Sequence, residues 1–155
     1  MQSLPMNEYV QAAWREVGIA VDFEVVELEV AYTCWRQGAG GEIARGAGAT
    51  AGNIAYVTSD PLYAIVRFFH SNQVAPTGVN WSHYRDPGMD RMIDAATASF
   101  DAAEQDAIMR RVHEKAVNEA LWVFVVHDTN PKALGRGVRG YVPAQHWFQD
   151  LTTLG

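Results

Sequence analysis

An α/β fold, a small mixed sheet flanked by helices, is what the sequence predicts, and three observations lead there. Residues 21–25, 53–57 and 121–126 have the alternation or the continuous apolar character of strands. Between them, apolar residues recur at i, i+3 and i+4 behind capping signals, the mark of amphipathic helices. The chain has 155 residues, 48% of them hydrophobic and 19% charged, which is enough for one globular domain with a real core.

Taken in order, Val10, Ala13, Trp14 and Val17 lie at helical spacing and Gly18 supplies a stop, so the chain opens in a helix. Val21, Phe23 and Val25 alternate with Asp22 and Glu24 as a half-buried strand would. The phase flips at Val26 and Leu28, where a bulge or the strand's end is expected. A short helical stretch over residues 32–37 runs into a glycine-rich segment, residues 38–52, whose composition is that of a mobile loop. The apolar run at 53–57 suits a buried strand. Asp60 as N-cap with Pro61 behind it then starts a helix through Phe69. The same device at Asp86 and Pro87 opens a helix with Met89, Met92, Ile93 and Ala96 on one face. Asp101 with Glu104 resembles a capping box ahead of Ile108, Val112 and Ala116. Residues 121–126, Leu-Trp-Val-Phe-Val-Val, read as a strand buried on both faces, and 130–155 as turn-rich and irregular. Three strands make a thin sheet, so further strands are expected from another chain or a missing segment.

A formal net charge of −6 argues against nucleic acid or an anionic membrane surface as a partner. The lone Cys34 excludes an internal disulfide and a multi-cysteine zinc site. Residues 1–6 have neither the basic nor the apolar region of a secretory signal, and no apolar stretch approaches the ~20 residues that cross a bilayer. Either the protein is cytoplasmic or its true start lies upstream.

Candidate chemistry is sparse. Residues 46–51 fit the letters of a dinucleotide fingerprint but precede a strand rather than follow one, and a Walker lysine is missing. His70, His83, His113, His127 and His146 are never three or four residues apart, so no helix presents a chelating pair, although His70 and His83 flank one loop and could converge. Asp60 and Asp86 read as helix caps before acid/base groups. No nucleophile elbow accompanies His127 and Asp128. No metal and no cofactor is expected, and no enzymatic activity. Trp81, in a polar loop, is either packed or a ligand-stacking wall, and the glycosylation pattern Asn80-Trp81-Ser82 is a weak match.

Four stretches together suggest a family. They are residues 8–21, a helix running into Gly18-Ile19-Ala20-Val21; Ser59-Asp60-Pro61 followed by Phe68-Phe69-His70-Ser71; Asn80-Trp81-Ser82-His83-Tyr84-Arg85-Asp86-Pro87-Gly88-Met89-Asp90; and the helix ending in residues 119–124 joined to Gly137-Val138-Arg139-Gly140-Tyr141-Val142-Pro143. Their order resembles the C-terminal part of the family 5 solute-binding proteins, which serve peptide and nickel ABC importers. The resemblance implies the second lobe of a two-lobed, periplasmic-binding-protein-like clamshell over residues 1–130. It makes 131–155 a return toward a first lobe that is missing here. It further implies a small solute caught between lobes, delivery to an ABC permease in the membrane, and a periplasmic or extracytoplasmic location. Asn53, Tyr56, Thr58 and Ser59 then face the ligand, with Trp81 as a wall. In peptide-binding members an aspartate four residues before the proline of the Asp-Pro turn holds the peptide amine, and a tryptophan precedes it by three. Those positions are Val57 and Ile54 here, and an unpaired buried ammonium is costly, so ordinary peptides are not expected. The alternatives are a self-associating structural fragment with no ligand of its own and a small enzyme built on the glycine-rich segment or on His127 and Asp128.

Overall fold

The structure, a computed structural model, describes residues 4–37, 41–42, 45–46, 48, 60–126, 131–144 and 149–155. Among them are five α-helices: α1 (Leu4–Glu16), α2 (Leu28–Gln37), α3 (Pro61–Phe69), α4 (Pro87–Ala98) and α5 (Ala102–Asn118). The chain divides into two compact units, one formed by Met1–Ile54 with Asn72–Tyr84, the other by Ala55–Ser71 with Arg85–Gly155.

In the first unit α1 ends where its sequence says it should. Gly18 takes φ +84°, its N–H reaches the Arg15 carbonyl at 3.0 Å and the Ile19 N–H reaches that of Trp14 at 2.9 Å. This is the paired Schellman closure that glycine favours. The next segment has no regular secondary structure, and the Gln11 side-chain amide donates to its Val21 carbonyl at 2.6 Å. The shift of phase at Val26 and Leu28 is the start of α2, four residues ahead of the expected helix.

The second unit is built on α3, α4 and α5. Each begins on an aspartate whose carboxylate accepts backbone N–H groups of the first turn. Asp60 takes Leu62 at 2.9 Å, Asp86 takes Met89 at 2.6 Å, and Asp101 takes Ala103 and Glu104 at 2.8 and 3.1 Å. The capping box around Asp101 is completed differently from the sequence expectation. The Asp101 N–H donates to Ser99 Oγ at 3.1 Å, and that hydroxyl donates to Glu104 at 2.7 Å. A three-residue turn folds α5 back on α4, burying Met89, Ile93 and Ala96 of one helix and Met109, Val112 and Ala116 of the other. Removal of each large side chain from water contributes about 2 kcal/mol. Trp122 closes the end of α3, its ring centroid 4.6 Å from Phe68 and 5.8 Å from Phe69.

The α/β expectation is corrected by this architecture, which is helical and has no β-strand among the described residues. Residues 21–25 and 121–126 have no regular secondary structure, and 53–57 lie outside the described residues. Val123, Phe124, Val125 and Val126 are exposed rather than buried on two faces. The physical reason is that an apolar pattern states what a strand would bury but cannot supply the neighbouring strand that must take its N–H and C=O groups. One isolated bridge, Val74 to Asn80, is the extent of strand-type pairing among the described residues.

Candidate functional site

Of the residues expected to face a ligand, Asn53, Tyr56, Thr58 and Ser59 lie outside the described residues. Trp81 is described, and its position follows from Asn80. The Asn80 side chain is fully buried, at 0% exposure, because the loop is wrapped around it. Its Nδ2 donates to the Tyr84 carbonyl at 2.8 Å, while Oδ1 accepts from the Tyr84 N–H at 3.2 Å and from Ser82 Oγ at 3.1 Å. Its backbone N–H donates to the Gln73 carbonyl at 2.8 Å. A buried amide that satisfies both of its ends in this way fixes a loop as firmly as a short ladder would. The turn before it is tight as well: a Cβ at Gly78 would stand 2.5 Å from the Gln73 carbonyl oxygen. The glycosylation pattern at Asn80 is therefore inaccessible, its amide being committed inside the loop.

Held this way, Trp81 stacks on Trp35 of α2, with centroids 4.7 Å apart and planes 26° from parallel, and Tyr32 meets Trp35 edge-on at 5.2 Å. Offset stacking and edge contacts of this kind are the favoured aromatic geometries. The trio was only partly visible in sequence. Trp81 stood out in its polar loop, whereas Tyr32 and Trp35 fell within the expected helical stretch over 32–37 and drew no role. Within the same loop His83 adopts φ +56°, and its buried Nε2 has no hydrogen-bond partner. A left-handed non-glycine backbone and an unsatisfied buried nitrogen both cost free energy, and such costs collect where a loop is shaped for something other than its own stability.

Of the remaining candidates, His70, Asp60 and Asp86 hold positions in the helical framework. His70 and His83 belong to different units. His70 is buried at the end of α3, with Nε2 3.1 Å from Asp94 and Nδ1 3.7 Å from Asp90, both on α4. Asp90 also accepts the Ser71 N–H at 2.9 Å. This cluster ties the end of α3 to α4, and no group of three or more metal-ligating side chains occurs among the described residues. Asp60 and Asp86 are caps. The Met89 N–H, helped by the Lys115 ammonium 3.7 Å away, holds the Asp86 carboxyl below its ordinary value of 3.8. Lys115 is raised in turn, first by its hydrogen bond to Glu119 and then by Asp86. His127 and Asp128 lie outside the described residues, as does most of the glycine-rich segment. No helix among the described residues is long and apolar enough to cross a membrane.

Comparison of the chain with family models, with curated proteins and with solved structures returned no match.

Proposed function

We propose that this chain is a segment of the solute-binding component of an ABC importer, working outside the cytoplasmic membrane to help enclose a small solute for a membrane permease. The reading is supported by the order of the four sequence stretches. Among them the Asn80–Pro87 stretch carries it, because a buried asparagine there spends its hydrogen bonds on presenting one tryptophan. A solute in such a site is gripped by apolar contact and stacking on Trp81 and by few polar groups, as small-molecule sites generally are. The bound solute leaves unchanged, and ordinary peptides are poor ligands because Val57 and Ile54 offer their ammonium group no partner.

The test is a titration of the protein with sugars, amino acids, dipeptides and metal chelates, followed by tryptophan fluorescence and melting temperature. At least one non-peptide solute should raise the melting temperature, as a ligand that binds only the folded state must. Trp81→Ala should weaken its binding about tenfold. The reading is lost if no solute shifts either signal, or if dipeptides bind best. A second reading, a self-associating fragment without a ligand, is favoured by the exposure of Val123, Phe124, Val125 and Val126. It requires a mass above the monomer that Val125→Lys abolishes.

A further inference from the structure

We infer that the turn between α4 and α5 is a docking knob for a second copy of this chain, which receives it on the basic and apolar stretch at residues 131–144. The knob is Phe100, the most exposed large apolar side chain among the described residues, at 105%. Full exposure leaves it no packing neighbour in its own chain. Its backbone, by contrast, is braced on both sides. Ser99 caps α4 through the Ala95 carbonyl at 3.1 Å and holds Asp101 and Glu104 through its hydroxyl, and the Gln105 side chain reaches back to the Ala96 carbonyl at 3.0 Å. An aromatic ring on a fixed turn loses little freedom when it is bound, which is the property of an interface anchor.

Charge selects the partner. Residues 94–106 hold four carboxylates and no lysine or arginine; Asp94 faces His70 at 3.1 Å and Asp106 faces Arg110 at 3.5 Å, so Asp101 and Glu104 form the acidic rim beside Phe100. Residues 131–144 are the reverse, with Lys132, Arg136 and Arg139 and no carboxylate. Leu134 and Val142 are exposed there, and none of the ion pairs among the described residues uses the three cations. This stretch is anchored too: Arg139 and Gly155 exchange backbone hydrogen bonds at 3.0 and 3.2 Å, and the Arg139 guanidinium donates to the Arg136 carbonyl at 2.8 Å. A chain of net charge −6 repels its copies as a whole, so association needs opposed local patches of this kind. The knob of one copy on the cradle of the next is a heterologous contact, which propagates unless a ring closes. It uses neither Trp81 nor residues 123–126 and holds with or without a bound solute.

Sedimentation velocity over a concentration series tests the inference. At low salt the wild-type sedimentation coefficient should rise with concentration, and at about 0.5 M salt, where the Debye length shrinks to a few ångströms, it should stay near that of the monomer. Phe100→Ser blocks the knob and Lys132→Glu with Arg136→Glu blocks the cradle, so each variant alone should remain monomeric, with association weakened at least about tenfold. Mixed in equal amounts, the two variants should form a 1:1 heterodimer and stop there, because each retains one intact half. That outcome also shows that both variants are folded. A wild type that is monomeric throughout overturns the inference. So does association indifferent to Phe100→Ser, or a mixture that fails to combine.

Discussion

The α4–α5 hairpin and the segment that follows it, residues 121–126, are both rich in apolar residues, yet only the hairpin buries them. On α4 and α5 Met89, Ile93, Ala96, Met109, Val112 and Ala116 find their partners within a few turns of the same short hairpin, and the capping aspartates satisfy the helix ends locally. Residues 123–126 carry Val, Phe, Val and Val; Phe124 touches only the rings of His113 and Trp122, at 5.0 and 6.1 Å among the described ring contacts, and all four remain exposed. The difference is one of reach. A helix completes its backbone hydrogen bonds from its own sequence, whereas an extended segment depends on a strand brought from elsewhere.

Paired truncations would break this comparison most sharply. Ile93, at 1% exposure, is enclosed between the helices, so Ile93→Ala should cost about 2–4 kcal/mol, the lost transfer free energy plus that of the cavity left behind. Val125→Ala removes a similar number of methyl groups from an exposed position and should cost under about 0.5 kcal/mol. Urea midpoints measure both. Equal losses would mean that residues 121–126 are packed in solution and that the contrast between the two regions is false.

A smaller effect is expected where a polar residue takes the place of an apolar core. Asn80→Ala leaves the Tyr84 N–H and C=O without the partners they have at 3.2 and 2.8 Å, in a half-buried part of the loop. The cost should be about 1–3 kcal/mol, that of uncompensated buried polar groups. The fluorescence of Trp81 should change with it, because the same amide aims the ring at Trp35. A variant with unaltered stability and emission would show that Asn80 does not organise the loop.

What was legible in the sequence divides along the same line. Asp60, Asp86 and Asp101 announced three helix starts, and Gly18 announced a stop, because each signal acts within four residues of itself. Most of the buried faces of α4 and α5 followed from periodicity, but Met92 and Ile108 are only half-buried and the buried Met109 was not expected. The strands expected at 21–25 and 121–126 were misread, since the partners a strand needs leave no local trace in its own sequence. The stacking of Trp81 on Trp35 was not legible either: 46 positions separate the two rings, and only the folding of the 72–84 loop brings them together. Nor did the pattern Asn80-Trp81-Ser82 reveal that its asparagine is buried, because two of the three side-chain partners are backbone atoms of Tyr84, which any residue but proline would offer.

The smallest expected effect lies at Ala120, where the hairpin gives way to the extended segment. α5 ends in the same Schellman closure as α1: the Ala120 N–H donates to the Val117 carbonyl at 3.0 Å and the Leu121 N–H to that of Ala116 at 3.0 Å. In α1 the left-handed position belongs to Gly18, but in α5 an alanine takes it, at φ +52°. A Cβ in that region costs roughly 1–2 kcal/mol, while glycine's greater freedom in the unfolded chain returns part of this, so Ala120→Gly should stabilise the protein by about 0.5–1 kcal/mol. The reciprocal Gly18→Ala should destabilise by a comparable amount, because nothing stands within 4 Å of the added Cβ and only the backbone conformation opposes it. Thermal unfolding of the two variants measures the pair. Destabilisation by Ala120→Gly would mean that the Ala120 methyl group is packed, and that residues 121–126 leave the hairpin along a path fixed by side-chain contact rather than by the helix end alone.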